Sequence, residues 1–253
     1  MSAIMLKSPR EIEIMREAGR ITAGARKVAS EMIKPGVSTA EIDREVKKFI
    51  LASGATPTFL GYGGFPACVC ASVNEEVIHG IPGKRKLVAG DIVSIDVGAT
   101  YHGYVGDCAA TFLCGECTPE AKKLVEVTRQ SFFEGIRQAV PGNRIGDISA
   151  AVQAYAESFG YGVVREYVGH GVGRQMHEAP EVPNYGRAGH GPRLVPGMTI
   201  AVEPMITAGD YAVRVLANDW TVVTVDGSLA AHYENTILIT DGEPELLTWP
   251  EGF

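Results

Sequence analysis

Cysteine is scarce and odd in number: Cys68, Cys70, Cys108, Cys114 and Cys117 are the five in 253 residues. A chain of this length buries enough core to stand without disulfide staples, so the count points to a reducing compartment, the cytoplasm. Cys114 and Cys117 form a lone CxxC, with no second pair to complete a zinc site and no strand-to-helix setting for thioredoxin chemistry. Basic residues are outnumbered, 23 Lys+Arg against 30 Asp+Glu, giving a formal net charge of −7. Without a Lys/Arg cluster the chain lacks the electrostatic footprint of a nucleic-acid binder. Nor does any apolar run reach the roughly 18 residues of a membrane span. The opening MSAIMLKSPREIEIM has no apolar stretch of the signal-peptide kind and carries charge from Lys7 onward.

Glycine is the opposite case, with 30 residues, about 12% where about 7% is usual. That surplus predicts many turns and places where backbone approaches something closely.

The chain is written twice. Ile33-Lys34-Pro35-Gly36 recurs as Ala139-Val140-Pro141-Gly142, and the same offset of 106 lays Ile42, Val46, Phe49 and Gly54 over Ile148, Val152, Tyr155 and Gly160. KLVAGDIVSID (86–96) lies over RLVPGMTIAVE (193–203) at an offset of 107, which places Asp96 over Glu203. NEEVIHGI (74–81) resembles REYVGHGV (165–172), aligning His79 with His170. Helix signals agree with a duplication. Ser8-Pro9-Arg10-Glu11 and Ser38 to Glu41 are capping boxes, and further helices are predicted from Thr118-Pro119 and near Asp147. Each half reads helix, helix, then strands, with strands predicted at 67–73, 92–99, 103–113, 163–169, 199–206, 212–217, 221–225 and 236–240. No Pro/Ser-rich linker parts the halves, 8–115 and 118–243, so residues 1–253 read as one α+β domain built by duplication. Its two pseudo-symmetric halves join in one antiparallel sheet covered by helices.

Within DVGATYHGYVGD (96–107), a turn at Tyr101-His102-Gly103 sets Asp96 opposite Asp107. The apolar flanks, with Ile92, Val93, Ile95 and Val97 on one side and Ala109, Ala110, Phe112 and Leu113 on the other, predict buried strands. Buried like charges need a shared proton or a metal. The repeat adds Glu203 as mate of Asp96. Glu234 matches Asp107 in leading an apolar strand, and His170 sits in glycine-rich GHGVGRQMHE. Oxygen ligands with one imidazole suit Mn, Fe, Co or Zn, and four carboxylates balance two divalent ions.

These segments resemble the type I methionine aminopeptidases of the pita-bread metallopeptidase family. The likeness spans the chain through SVNEEVIHGIP, DIVSIDVGATYHGYVGD, REYVGHGVGRQMHEAP, MTIAVEP and NDWTVVTVDGSLAAHYENT. It implies two divalent ions (Co, Mn, Fe or Zn) held by Asp96, Asp107, His170, Glu203 and Glu234, with Asp107 and Glu234 bridging. It further implies that a hydroxide bridging the ions attacks the first peptide bond of a chain beginning with methionine. Glu203 then moves the proton, His177 supports the carbonyl oxygen, and His79 binds the scissile nitrogen or the next carbonyl. Tyr62, Phe65, Cys70, Met176 and Trp220 border the methionine pocket. Phe65 stands where the family can have Tyr, Met176 where it often has Phe, and Gly63 where it can have His. The family implies a monomer acting on nascent chains, with transient ribosome association.

A proline-directed dipeptidase or aminopeptidase of the same fold is the alternative. Those relatives carry a large extra N-terminal domain, whereas the first catalytic-domain helix is predicted from Ser8. A non-catalytic binding protein on this scaffold would have lost ligands, and a di-metal phosphoesterase would want more cationic clamps than Arg165 and Arg174.

Overall fold

The computed structural model describes residues 3–249. Four helices are present among them: α1 (Pro9–Met32), α2 (Thr39–Ala52), α3 (Pro119–Ile136) and α4 (Ile145–Glu157). The predicted caps form, since Glu11 Oε2 accepts from the Ser8 backbone N–H at 2.8 Å and Glu41 Oε2 from that of Ser38 at 2.8 Å. Pro119 occupies the first turn of α3 behind a Thr118 cap. The buried stripe of α1 runs through Met15, Ala18, Ile21, Ala25 and Ala29. Its small side chains let the helix lie close on the sheet.

In chain order the strands are β1 (Thr56–Pro57), β2 (Val69–Val73), β3 (Glu76–Ile78), β4 (Ile92–Tyr101), β5 (Tyr104–Leu113), β6 (Gly162–Val163), β7 (Gly169–Gly171) and β8 (Glu178–Val182). They continue as β9 (Thr199–Val202), β10 (Met205–Thr207), β11 (Val213–Val215), β12 (Val222–Thr224), β13 (Ala230–His232), β14 (Glu234–Leu238) and β15 (Glu245–Leu246). The large sheet runs β1-β4-β5-β14-β9-β7-β8, with β2 also on β4 and β15 on β14. The halves meet where β5 pairs antiparallel with β14, Ala109 facing Glu234 and Cys108 facing Asn235. Helices α1 and α2 close a core over the first half, around Ile42, Val46, Val93 and Ile95. Phe132, Ile148, Val152 and Ile200 form its counterpart in the second half.

The β4–β5 hairpin corrects the expected register. His102 (φ 46°) and Gly103 (φ 80°) form a two-residue turn with both residues at positive φ, as the right-handed strand twist favours, so Tyr101 faces Tyr104. Asp96 therefore faces Ala109, and Asp107 faces Gly98. Because the shift is by two residues, both acids still project from one face, as diagonal neighbours rather than an opposed pair.

Two predicted strands are broken. The 163–169 segment divides into β6 and β7, because the chain leaves a three-stranded sheet (β13-β10-β6) to join the large one. The 199–206 segment divides into β9 and β10 around Glu203-Pro204, where proline supplies no N–H for a ladder. Across that break the register is unchanged. Asn235 faces Val202 in one sheet and His232 faces Met205 in the other, so residue numbers of paired positions keep one constant sum. The second half thus holds a long hairpin like β4–β5, interrupted in the middle.

Laying one hairpin on the other corrects the remaining matches. The offset of 107 takes Asp96 to Glu203; the paired strands then take Ala109 to Glu234 and Asp107 to His232. The pseudo-twofold axis passes through the Ala109–Glu234 pair that joins the halves. Glu234 is thus not the mate of Asp107. Nor is His79 the mate of His170: His170 faces Ala201, two residues before Glu203, and the corresponding position, facing Ser94, is Ser72 on β2.

Candidate metal centre and cleft

The joined sheets carry an acidic cluster at their seam. Asp96 and Asp107 come from the unbroken hairpin, Glu203 from the break after β9, and Glu234 from the first residue of β14. Asp107 and Glu234 are about 2% and 1% exposed, and His170 on β7 is 7% exposed. Ligand atoms of Asp107, His170 and Glu234 all lie within 4.8 Å of one another. His170 Nε2 is 3.6 Å from Asp107 Oδ2 and 3.6 Å from Glu203 Oε1.

These residues fit a divalent ion on three counts. Asp96 Oδ1, Asp107 Oδ1 and Glu234 Oε1 are buried without a hydrogen-bond partner among the described residues, a costly arrangement unless a cation satisfies them. Two ligands about 2.1 Å from a common ion lie roughly 3.0 to 3.6 Å apart, matching the separations around His170. Finally, His170 Nδ1 lies 2.9 Å from the Gly171 carbonyl, which fixes the proton there and leaves the Nε2 lone pair facing the carboxylates.

The electrostatics say the same. Burial first, then Asp107 and Glu203, pushes Asp96 well above the usual carboxylate range. Burial likewise pushes Glu234 well up, with Asp107 and Glu203 adding to it, and raises Glu203 to about 8. Such a cluster holds protons at neutral pH unless positive charge replaces them.

Local backbone explains how the acids reach one point. Gly106 lies where α1 crosses β5; a Cβ there would sit 2.9 Å from the Ala18 carbonyl carbon and 2.7 Å from Thr22 Oγ1. Its absence lets the helix press against the strand beside Asp107. Opposite Asp107, a Cβ on Gly98 would lie 2.8 Å from the Phe59 ring. The missing side chain there admits an aromatic wall next to the acids.

Above the acids lies a cavity of about 180 Å³. All twelve residues singled out in the sequence line it: Tyr62, Phe65, Cys70, His79, Asp96, Asp107, His170, Met176, His177, Glu203, Trp220 and Glu234. Phe59, Ile78, Tyr167 and Val168 also line it; Ile78, Tyr167 and Val168 lie within the quoted motifs without being singled out, and Phe59 lies outside them. Phe65 meets Trp220 edge to face at 5.1 Å, and Cys70 pairs with Asp96 in the β2–β4 ladder, so the apolar wall adjoins the acids directly. Gly63 adopts φ 57°, and a Cβ there would touch Trp220 at 3.4 Å. A positive φ beside an indole favours glycine.

Three further imidazoles surround the cluster. His79 follows β3 at φ 57°, its ring 6.3 Å from Trp220, and burial lowers its pKa. The His177 ring lies 4.3 Å from the His170 ring, tilted by 57°, and meets the Tyr62 hydroxyl at 2.7 Å through Nδ1. Desolvation at the cleft, then His170, brings His177 down to about 4, so it is neutral at pH 7. His232 went unmarked in the sequence. Its Nε2 is 3.7 Å from Glu203 Oε2 and 4.0 Å from Glu234 Oε2. The register above was the signal that finds it, and it requires the observed pairing.

Comparison with known proteins agrees with this geometry. The family model for metallopeptidase family M24 matches residues 13–241. A methionine aminopeptidase of Clostridium acetobutylicum is 58% identical, over 97% of this chain and 98% of its own. Methionine aminopeptidase 1 of Bacillus subtilis is 52% identical over 97% of this chain and 99% of its own. Among solved structures, methionine aminopeptidase from Thermotoga maritima superposes with a TM-score of 0.96 at 47% identity, covering 97% and 99% of the two chains. Prolidase from Pyrococcus furiosus shares the pita-bread fold at a TM-score of 0.79 and 25% identity, and the match covers 66% of its length.

Proposed function

The chain belongs to metallopeptidase family M24, and from that premise we propose that it hydrolyses the first peptide bond of chains that begin with methionine. The observation that carries this reading is the juxtaposition of a buried, cation-demanding carboxylate cluster with a closed apolar wall. The full-length likeness to methionine aminopeptidases at 58% identity favours it over the proline-directed reading, whose structural relative stands at 25%.

In this proposal Asp96, Asp107, His170, Glu203 and Glu234 would hold two divalent ions, with Asp107 and Glu234 as the candidates to bridge them. Bound there, divalent metal supplies Lewis-acid polarisation of the scissile carbonyl and a water acidic enough to act as nucleophile at neutral pH. Phe59, Phe65, Cys70, Met176 and Trp220 take the methionine side chain and exclude water from it. Tyr62, 46% exposed, stands at the rim. Glu203, beside the attacking water, would accept its proton and return it to the leaving amine. His177, neutral and held by Tyr62, presents Nε2–H to the carbonyl oxygen as charge develops. His79 donates to the scissile nitrogen or to the next carbonyl, and its positive φ aims the ring from the end of β3 into the cleft.

Peptides and nascent proteins with N-terminal methionine are the substrates, handled by a monomer in the cytoplasm in transient association with the ribosome. None of the helices among the described residues is long and apolar enough to cross a membrane.

Metal-loaded protein is expected to release methionine from Met-Ala-Ser, to stop on chelation, and to recover with added divalent ion. Cleavage of Ala-Pro peptides with Met-Ala-Ser left intact would replace this reading with the prolidase one.

A further inference from the structure

The duplicated hairpins contribute unequally. Asp107 in the first half has His232 at its mate position in the second, because both hairpins keep one register and the axis runs through Ala109 and Glu234. A side chain at that position faces the metal centre by symmetry, and the coordinates agree. His232 is 1% exposed, and its Nε2 has no hydrogen-bond partner among the described residues.

The Glu203 carboxylate lies between two imidazoles. Its Oε1 faces His170 Nε2 at 3.6 Å, and its Oε2 faces His232 Nε2 at 3.7 Å, with Glu234 Oε2 4.0 Å from the same His232 nitrogen. A neutral imidazole has one N–H and one lone pair. A lone pair directed between two carboxylates is repelled, so the proton of His232 belongs on Nε2. For His170 the reverse holds, since the Gly171 carbonyl at 2.9 Å claims Nδ1–H and frees Nε2 to ligate. The two rings therefore do different work on one carboxylate.

We propose that His232 is a positioning residue of the metal centre: its Nε2–H donates to Glu203 Oε2 and keeps Oε1 turned towards His170 and Asp107. The separation of 3.7 Å exceeds a hydrogen bond by a few tenths of an ångström, which a small rotation of the Glu203 carboxylate closes. The backbone of Glu203 is fixed separately, its carbonyl accepting from Asn184 Nδ2 at 3.0 Å, so the carboxylate is the part left to be oriented. This inference rests on the metal reading above.

Calorimetric titration with Mn(II) or Co(II), alongside turnover of Met-Ala-Ser, tests it. Groups that orient metal ligands typically change affinity 10- to 100-fold, so His232→Leu and His232→Ala are expected to weaken binding of one ion by about that factor. Both variants are also expected to lower kcat while KM for the peptide holds. His232→Gln, which keeps an N–H at similar reach, is expected to stay within about threefold of the wild-type affinity. The Ala variant adds no bulk and carries the test where the Leu variant does not fold. In the cobalt-loaded wild type, proton NMR is expected to show one strongly shifted imidazole N–H, that of His170. A second such signal lost in His232→Gln would make His232 a direct ligand and overturn the positioning role. Wild-type affinity and kcat in the Leu and Ala variants would overturn it as well. A wild-type protein that binds no divalent ion would instead remove the metal reading itself.

Discussion

The two halves of the molecule contain the same hairpin, but only one of them is continuous. In the first half β4 and β5 run ten residues each without interruption, and Asp96 and Asp107 lie inside the ladder. In the second half the equivalent strands break at Glu203-Pro204 and at Tyr233, and their outer ends, β10 and β13, pair in a different sheet. The first hairpin is an unbroken platform; the second opens at its middle, beside Glu203 and Glu234. Substitution has also changed what each place supplies. Ala109 stands where the second half has Glu234, and His232 where the first half has Asp107. The shared hairpin register thus accounts for where side chains converge, while the residues that differ between the halves decide which positions carry charge.

The sharpest way to test that contrast is at the platform. Asp107→Asn keeps the shape and removes one negative charge from the acid proposed to bridge two ions. It is expected to lower kcat/KM by about three orders of magnitude, roughly 4 kcal/mol in the activation barrier, and to weaken both metal sites together. A variant that binds two ions with unchanged affinity by calorimetry would show that Asp107 does not bridge, and the platform would lose its special standing.

A smaller effect separates the halves by packing rather than charge. Gly106 in β5 corresponds to Ala231 in β13 under the same register. The helix α1 presses its Ala18 backbone onto Gly106, whereas Ala231 already carries a Cβ, within a cluster that includes Leu124 of α3. Gly106→Ala is expected to destabilise the fold by about 1 to 3 kcal/mol, because helix backbone rather than a flexible side chain must move. Urea unfolding checks it. A neutral outcome would mean that α1 rides as loosely on its hairpin as α3 does on the other.

Much of this was legible in the sequence, for identifiable reasons. Capping residues act within four positions, so Ser8, Ser38 and Thr118 marked their helices directly. The GDIVSID and GMTIAVE columns placed Asp96 and Glu203 as mates because that stretch of the two strands has no insertion. Register was the part that local pattern could not supply. Whether Asp96 faces Asp107 or Ala109 depends on whether the turn is centred between Tyr101 and His102 or between His102 and Gly103, and His102 at φ 46° is a less common residue for that conformation than Asn or Gly. His232 was hidden by the same gap, since its relation to Asp107 follows only once both hairpins have a known register. The breaks at Glu203 and after Val163 were hidden because β-branched runs look alike whether they stay in one sheet or cross between two.

The smallest effect lies across the cleft, at a hydrogen bond that joins the halves. Tyr62 belongs to the first half and His177 to the second, and the Tyr62 hydroxyl lies 2.7 Å from His177 Nδ1. Because His177 is neutral, a phenol donating to Nδ1 selects the tautomer with the proton on Nε2, the one able to donate into the cleft. One neutral hydrogen bond is worth about 0.5 to 1.5 kcal/mol net, so Tyr62→Phe is expected to cost roughly 2- to 12-fold in kcat/KM. The split between constants decides what Tyr62 does. A fall in kcat with KM held means that the first half orients the second half's histidine for the developing charge. A rise in KM alone means that Tyr62 is only a wall of the methionine pocket, and the two halves then cooperate through the metal ligands without this link.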